Sequence, residues 1–241
     1  MSGNIGNGTR IAIYHALAEC FRMPTPEFVE NALSGALAHV LKDIPGVASE
    51  RLILVAEGRS LAEITELLTD EYYQTFKGPF PPYVVPVESV YKAWAGSNPS
   101  AECSKEKDML MGDPAIEMLK RYRADGIELP SDFKAYPDHV ALILEYAGLL
   151  LERGAPGAYE EFVAAHLDWM EALRRDIHSM TESPFYRAAA DLLHVFARDE
   201  LERATGTVSV GTGCPANDFS ARQELDLHRF GFTHILQEGP R

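Results

Sequence analysis

The segment from Val140 to Leu151 constrains the fold more than any other stretch. It reads VALILEYAGLLL, with a single charged side chain, Glu145. Apolar residues run nearly all round a helix of this sequence, so such a helix must be covered on every side. It is too short to cross a bilayer, which takes roughly 18 to 20 apolar residues, and no other run approaches that length. The rest of the chain therefore has to wrap this helix. Gly154 ends it.

Helix signals recur from end to end. Thr25-Pro26-Glu27 reads as an N-cap, a proline in the first turn and an acid beside the positive end of the helix dipole. Phe28, Ala32, Leu33, Ala36 and Val40 then fall on one face up to Val40. Ser60-Leu61-Ala62-Glu63 is a capping box, followed by Leu61, Ile64, Leu68, Tyr72 and Phe76 at helical spacing and a stop at Gly78. Asp113-Pro114 opens a helix toward Gly126, and Ser183-Pro184 opens another carrying Tyr186, Leu193 and Phe196. Tyr159 to Ile177 is amphipathic, with Phe162, Leu167, Trp169 and Leu173. Strand signals are weak. Tyr83 to Val87 has β-formers, but Pro79, Pro81, Pro82 and Pro86 bracket and interrupt it, so it reads as an extended loop. Thr205 to Gly213 has strand character and no obvious partner.

These signals predict an all-α helical bundle. The organisation predicted is an N-terminal helical lobe over residues 1–124, a hinge over 125–137 (Gly126, Pro130, Pro137), a C-terminal lobe over 138–204 and a poorly regular tail over 205–241. A further polar connector runs from Gly96 to Lys107. The hinge would permit lobe exchange, so a monomer and a domain-swapped dimer are both compatible with the sequence.

The net charge of −14 repels phosphate backbones, which argues against a nucleic-acid partner and favours a cationic one. Three cysteines, Cys20, Cys103 and Cys214, show no CxxC spacing. Such sparse usage suits a reducing compartment, and the N-terminus is not a convincing secretory signal. The expected location is the cytoplasm, without membrane insertion.

The search for catalytic chemistry returns little. There is no phosphate loop, dinucleotide fingerprint, nucleophile elbow or HExxH motif. Asp191-Leu192-Leu193-His194 resembles half of a di-iron motif and has no mate. No catalytic centre, cofactor or metal is expected. Two segments nevertheless differ from ordinary helix filler. The first packs Tyr72, Tyr73, Phe76, Phe80, Tyr83, Tyr91 and Trp94 among prolines, which suits the wall of an apolar pocket with Glu88 and Ser89 at its rim. The same composition describes a packed loop whose aromatics plug the core. The second, Tyr136-Pro137-Asp138-His139-Val140, opens the apolar helix. Asp138 can act as its N-cap, and the helix dipole biases His139 toward neutrality.

The order Tyr72-x-x-x-Phe76, Gly78-Pro79, Pro86-x-Glu88-Ser89-Val90-Tyr91 resembles the first motif block of the TorD/DmsD chaperone family. Pro137-Asp138-His139 with Leu142 and Leu144-Glu145-Tyr146 is similar to its second block. His166-Leu167-x-Trp169 and Ser183-Pro184-Phe185-Tyr186 resemble its C-terminal helices. Two acids usual in the family are missing: Phe133 to Tyr136 holds no glutamate, and Ile143 is apolar. The resemblance implies an all-helical cytoplasmic chaperone that binds the twin-arginine signal peptide of a molybdenum-cofactor oxidoreductase subunit in its apo form, and delays export until the cofactor is inserted. The residues it implies for peptide binding are Tyr72, Phe76, Pro86, Glu88, Ser89, Tyr91, Asp138 and His139. The alternatives are a generic helical adaptor and a helical metalloprotein using His139, His166, His194 and nearby acids.

Overall fold

The computed structural model describes residues 5–78, 82–92 and 111–206. The connector from Gly96 to Lys107, Phe80, Trp94, and the strand and tail expected beyond Gly206 lie outside the described residues. Among those described there are ten α-helices, no named strand and one isolated β-bridge.

The apolar segment is where the sequence requires it. Helix α7 (Val140–Glu152) is buried along nearly its whole length. It packs most extensively on α1 (Asn7–Cys20) and also on α8 (Pro156–His166). The α1 contact is close because Gly148 has no side chain: a Cβ there would lie 3.4 Å from the Tyr14 Cβ and 3.6 Å from His15 Nε2. The other helices build outward from these: α2 (Pro26–Leu33) packs on α3 (Ala36–Leu41) and α4 (Leu61–Tyr72), α3 also on α1, α5 (Glu88–Tyr91) on α6 (Asp113–Ala124), and α10 (Pro184–Ala204) on α1, α8 and α9 (Met170–Met180). One hydrophobic cluster takes residues from both sides of the 125–137 segment. That segment is itself tied down, with Tyr122 Oη donating to Pro137 O (3.0 Å) and Tyr146 Oη to Asp125 Oδ2 (2.7 Å).

The capping signals hold in detail. Thr25 accepts from Phe28 N, Ser60 and Glu63 form the reciprocal capping box, and Ser183 accepts from Tyr186 N. Two expectations need correction. The face from Phe28 to Val40 is split between α2 and α3, because Gly35 adopts φ 78°, a left-handed conformation that turns the chain. The amphipathic stretch from Tyr159 to Ile177 is likewise two helices, α8 and α9. Periodicity carries across the break, but Trp169 Nε1 donates to His166 O (2.8 Å) and takes over a helix-end carbonyl.

A buried polar tie fixes α10 to the bundle. Glu200 is fully buried and accepts from Arg10 Nε (3.0 Å), while Arg10 Nη2 also donates to Tyr159 Oη (2.9 Å) and Tyr159 Oη meets Tyr14 Oη at 2.7 Å. Helices α1, α8 and α10 thus share one ion pair in a low-dielectric setting, where losing either partner is costly.

Candidate functional site

The two unusual sequence blocks meet at the start of α7. Val87 and His139 form an antiparallel bridge, flanked by Glu88 N donating to Asp138 O (3.0 Å) and Val140 N donating to Pro86 O (2.9 Å). Upstream, Val84 N donates to Thr75 O (2.8 Å). The proline-rich loop is therefore pinned at one end to the π-helical turn Tyr73–Lys77 that continues α4, and at the other to α7.

Side chains lock the same junction. Asp138 Oδ2 accepts from Ser89 N at 2.8 Å and from Ser89 Oγ, and Ser89 Oγ in turn accepts from Gly112 N (3.1 Å) at the entry to α6. Burial raises the Asp138 carboxyl above its ordinary range, with the Ser89 bonds opposing that shift. Glu88 Oε2 lies 2.7 Å from His166 Nδ1, and its other oxygen pairs with Lys92 Nζ (2.9 Å), which also reaches Asp168 (2.6 Å). Two atoms in this network, Asp138 Oδ1 and His166 Nε2, are buried without a hydrogen-bond partner.

Two readings of the sequence are corrected here, the cap of α7 and the rim. Asp138 is not the N-cap of α7: His139 is, its Nδ1 accepting from Ala141 N (3.2 Å), because Asp138 is committed to Ser89. His139 is held neutral, pushed down to about 3 first by burial, with Arg22 and Lys77 acting in the same direction. Glu88 and Ser89 do not stand at a rim: they are 1% and 4% exposed, satisfied inside the fold. Tyr72 and Phe76 are also core residues. Their rings pack together (5.2 Å between centroids) and against Tyr186, 5.3 Å from Phe76. Pro86 is buried, and half-buried Tyr91 stacks on Trp169 at 5.0 Å. The surface over this junction is formed by neighbours instead. Tyr73 (42% exposed), Tyr83 (36%) and Lys77 are open to solvent, and Phe133 is half-exposed against His139 (5.0 Å).

The histidines raised as metal ligands have separate partners: His139 with Ala141 N, His166 with Glu88, and His194 Nδ1 with Glu171 Oε2 at 3.3 Å. Among the described residues no three His, Cys, Asp or Glu side chains are grouped to hold a metal ion, and no helix is long and apolar enough to cross a membrane. Sequence reasoning missed the role of His166 and Lys92 in holding Glu88. It also missed Arg22, which lies beside both blocks and pairs with Glu145. That lone acid inside an apolar helix was the available signal.

The chain belongs to the nitrate reductase delta subunit family, whose sequence signature matches residues 46–183, more than half of its length. It is 24% identical over 204 residues to the chaperone protein TorD of Shewanella loihica, an overlap of 81% of this chain and 93% of that one. It also overlaps the crystal structure of a proposed redox enzyme maturation protein from Archaeoglobus fulgidus, at 16% identity and a TM-score of 0.46, over 81% of this chain and 93% of the other. The family is the TorD/NarJ group that the two motif blocks resemble, and its TorD members are chaperones rather than enzymes.

Proposed function

We propose that the protein binds the twin-arginine signal peptide of a molybdenum-cofactor oxidoreductase subunit in the cytoplasm, holding the apo subunit until its cofactor is inserted and so delaying export. The observation that carries this reading is the junction of the two motif blocks, with exposed aromatics at its surface on a chain of net charge −14. A twin-arginine signal joins two guanidinium groups to an apolar stretch, so a receptor needs apolar contact area and carboxylates. In this reading the eight site residues act at different depths. Tyr72, Phe76, Pro86, Glu88, Ser89, Asp138 and His139 shape the site from within, and Tyr91 reaches its edge. Tyr73 and Tyr83 offer contact area.

A Kd near 1 μM corresponds to about −8 kcal/mol. Burying two large side chains, at about 2–3 kcal/mol each, plus one desolvated charge pair reaches that scale. Calorimetric titration with several molybdoenzyme signal peptides, each beside a twin-lysine version, tests the reading. Micromolar or tighter binding of the arginine form, weakened for lysine, is expected because lysine cannot reproduce a bidentate contact. No binding across the set would refute it in favour of a generic adaptor.

A further inference from the structure

Arg22 lies just past the end of α1, followed by the exposed Met23 (42%), and its guanidinium points back into the bundle. Its Nη2 donates to Glu145 Oε1 on α7, and its Nε is 3.5 Å from Glu19 Oε1. The guanidinium carbon sits 4.9 Å from the centre of the Phe133 ring, whose other neighbour is His139. Two carboxylates and an aromatic face thus surround one cation, the arrangement that recognises guanidinium groups in general. The fit is incomplete, since Arg22 Nε is buried without a hydrogen-bond partner and two carboxylates serve one positive charge. The enclosure is also open at the surface: the Arg22 side chain is 21% exposed, Glu19 30% and Glu145 12%.

We propose that Glu145, Glu19 and Phe133 form a guanidinium subsite, that Arg22 occupies it in the free protein as an internal stand-in, and that an arginine of the bound peptide takes its place. This rests on the arginine-bearing partner proposed above. It supplies the carboxylates that Glu88 and Asp138, locked inward, do not offer. Glu145 suits the task, because burial pushes its carboxyl up to about 7 even with Arg22 drawing it down, so its ionised form gains from a cation beside it. Arg22 adjoins the motif residues, acting electrostatically on both Tyr72 and His139. An occupied subsite lowers the fraction of molecules ready to bind, so affinity for an arginine peptide is reduced by that fraction.

The test uses Arg22→Ala, with Arg22→Lys as a second variant that keeps the charge should the first fail to fold. Thermal melts are run with millimolar methylguanidinium or methylammonium. The variant is expected to melt below wild type and to recover several degrees with methylguanidinium but not with methylammonium. Adding Glu145→Gln should abolish the recovery. In titrations, Arg22→Ala should bind the twin-arginine peptide at least about fivefold more tightly than wild type, with no gain for the twin-lysine peptide. Equal recovery with both cations, no recovery, or a peptide affinity that stays level or falls would overturn the proposal. If wild type binds no peptide, the signal-peptide reading fails, and selective recovery by methylguanidinium still decides whether the subsite exists.

Discussion

Asp138→Ala separates a cap from a tie. If Asp138 only capped α7, its loss would cost about 1 kcal/mol. In the structure it accepts two hydrogen bonds from Ser89, and Ser89 carries the contact on to Gly112. Bonds to a charged acceptor contribute about 1.5–3 kcal/mol each. Against that stands the cost of burying a carboxylate whose Oδ1 has no partner, which the substitution relieves. The net expected loss is about 3 kcal/mol, a fall in Tm of roughly 6–12 °C for a chain of this size. Circular dichroism melts and urea titrations of Asp138→Ala, Ser89→Ala and the double variant supply the measurement. The two substitutions should be non-additive by about 1–2 kcal/mol, because they break the same bonds. A loss of about 1 kcal/mol or less for Asp138→Ala, or simple additivity, would refute the tie.

Two further perturbations probe α7 itself. Gly148→Ala should stay within about 1 kcal/mol of wild type, because the helix-propensity gain of an alanine meets a Cβ contact of 3.4 Å with Tyr14 that is tight but tolerable; Gly148→Leu should pry α1 from α7 and cost about 3 kcal/mol in the same melts. Glu145 makes stability depend on pH. Burial is the main cause of its rise to about 7, Arg22 opposes the shift and Glu19 adds to it. A carboxyl raised on folding contributes stability that is fully present below its unfolded value of about 4.3 and is lost as pH rises through the folded value, here on the order of 4 kcal/mol in all. His139, pushed down to about 3, adds stability over the same range in both proteins, so the comparison carries the test: in urea titrations from pH 4 to 8 wild type should lose more stability, or gain less, than Glu145→Gln, and equal slopes for both proteins would sink the assignment.

Local chemistry was legible in the sequence, and depth was not. Capping residues act on their own first turn, so Thr25, Ser60 and Ser183 do in three dimensions what their spacing predicts. The burial of Val140 to Leu151 is equally local information, since an apolar helix has no wet face to offer. Breaks are harder to read where hydrophobic spacing continues through them. The split between α8 and α9 depends on an indole bonding to a carbonyl, and that is a matter of one rotamer. The site shows the limit most plainly. Its motif residues mark where two distant segments join, but a motif does not say which way a side chain points. Glu88 turns inward because His166 and Lys92 are there to receive it, Lys92 one helical turn on and His166 far downstream on another helix. Asp138 is drawn from the helix end by Ser89, so His139 takes the cap. In both places a long-range polar partner outcompetes the local role. A carboxylate surrounded by apolar sequence, as Glu145 is, therefore signals a partner elsewhere in the chain, and here that partner is an arginine beside the site.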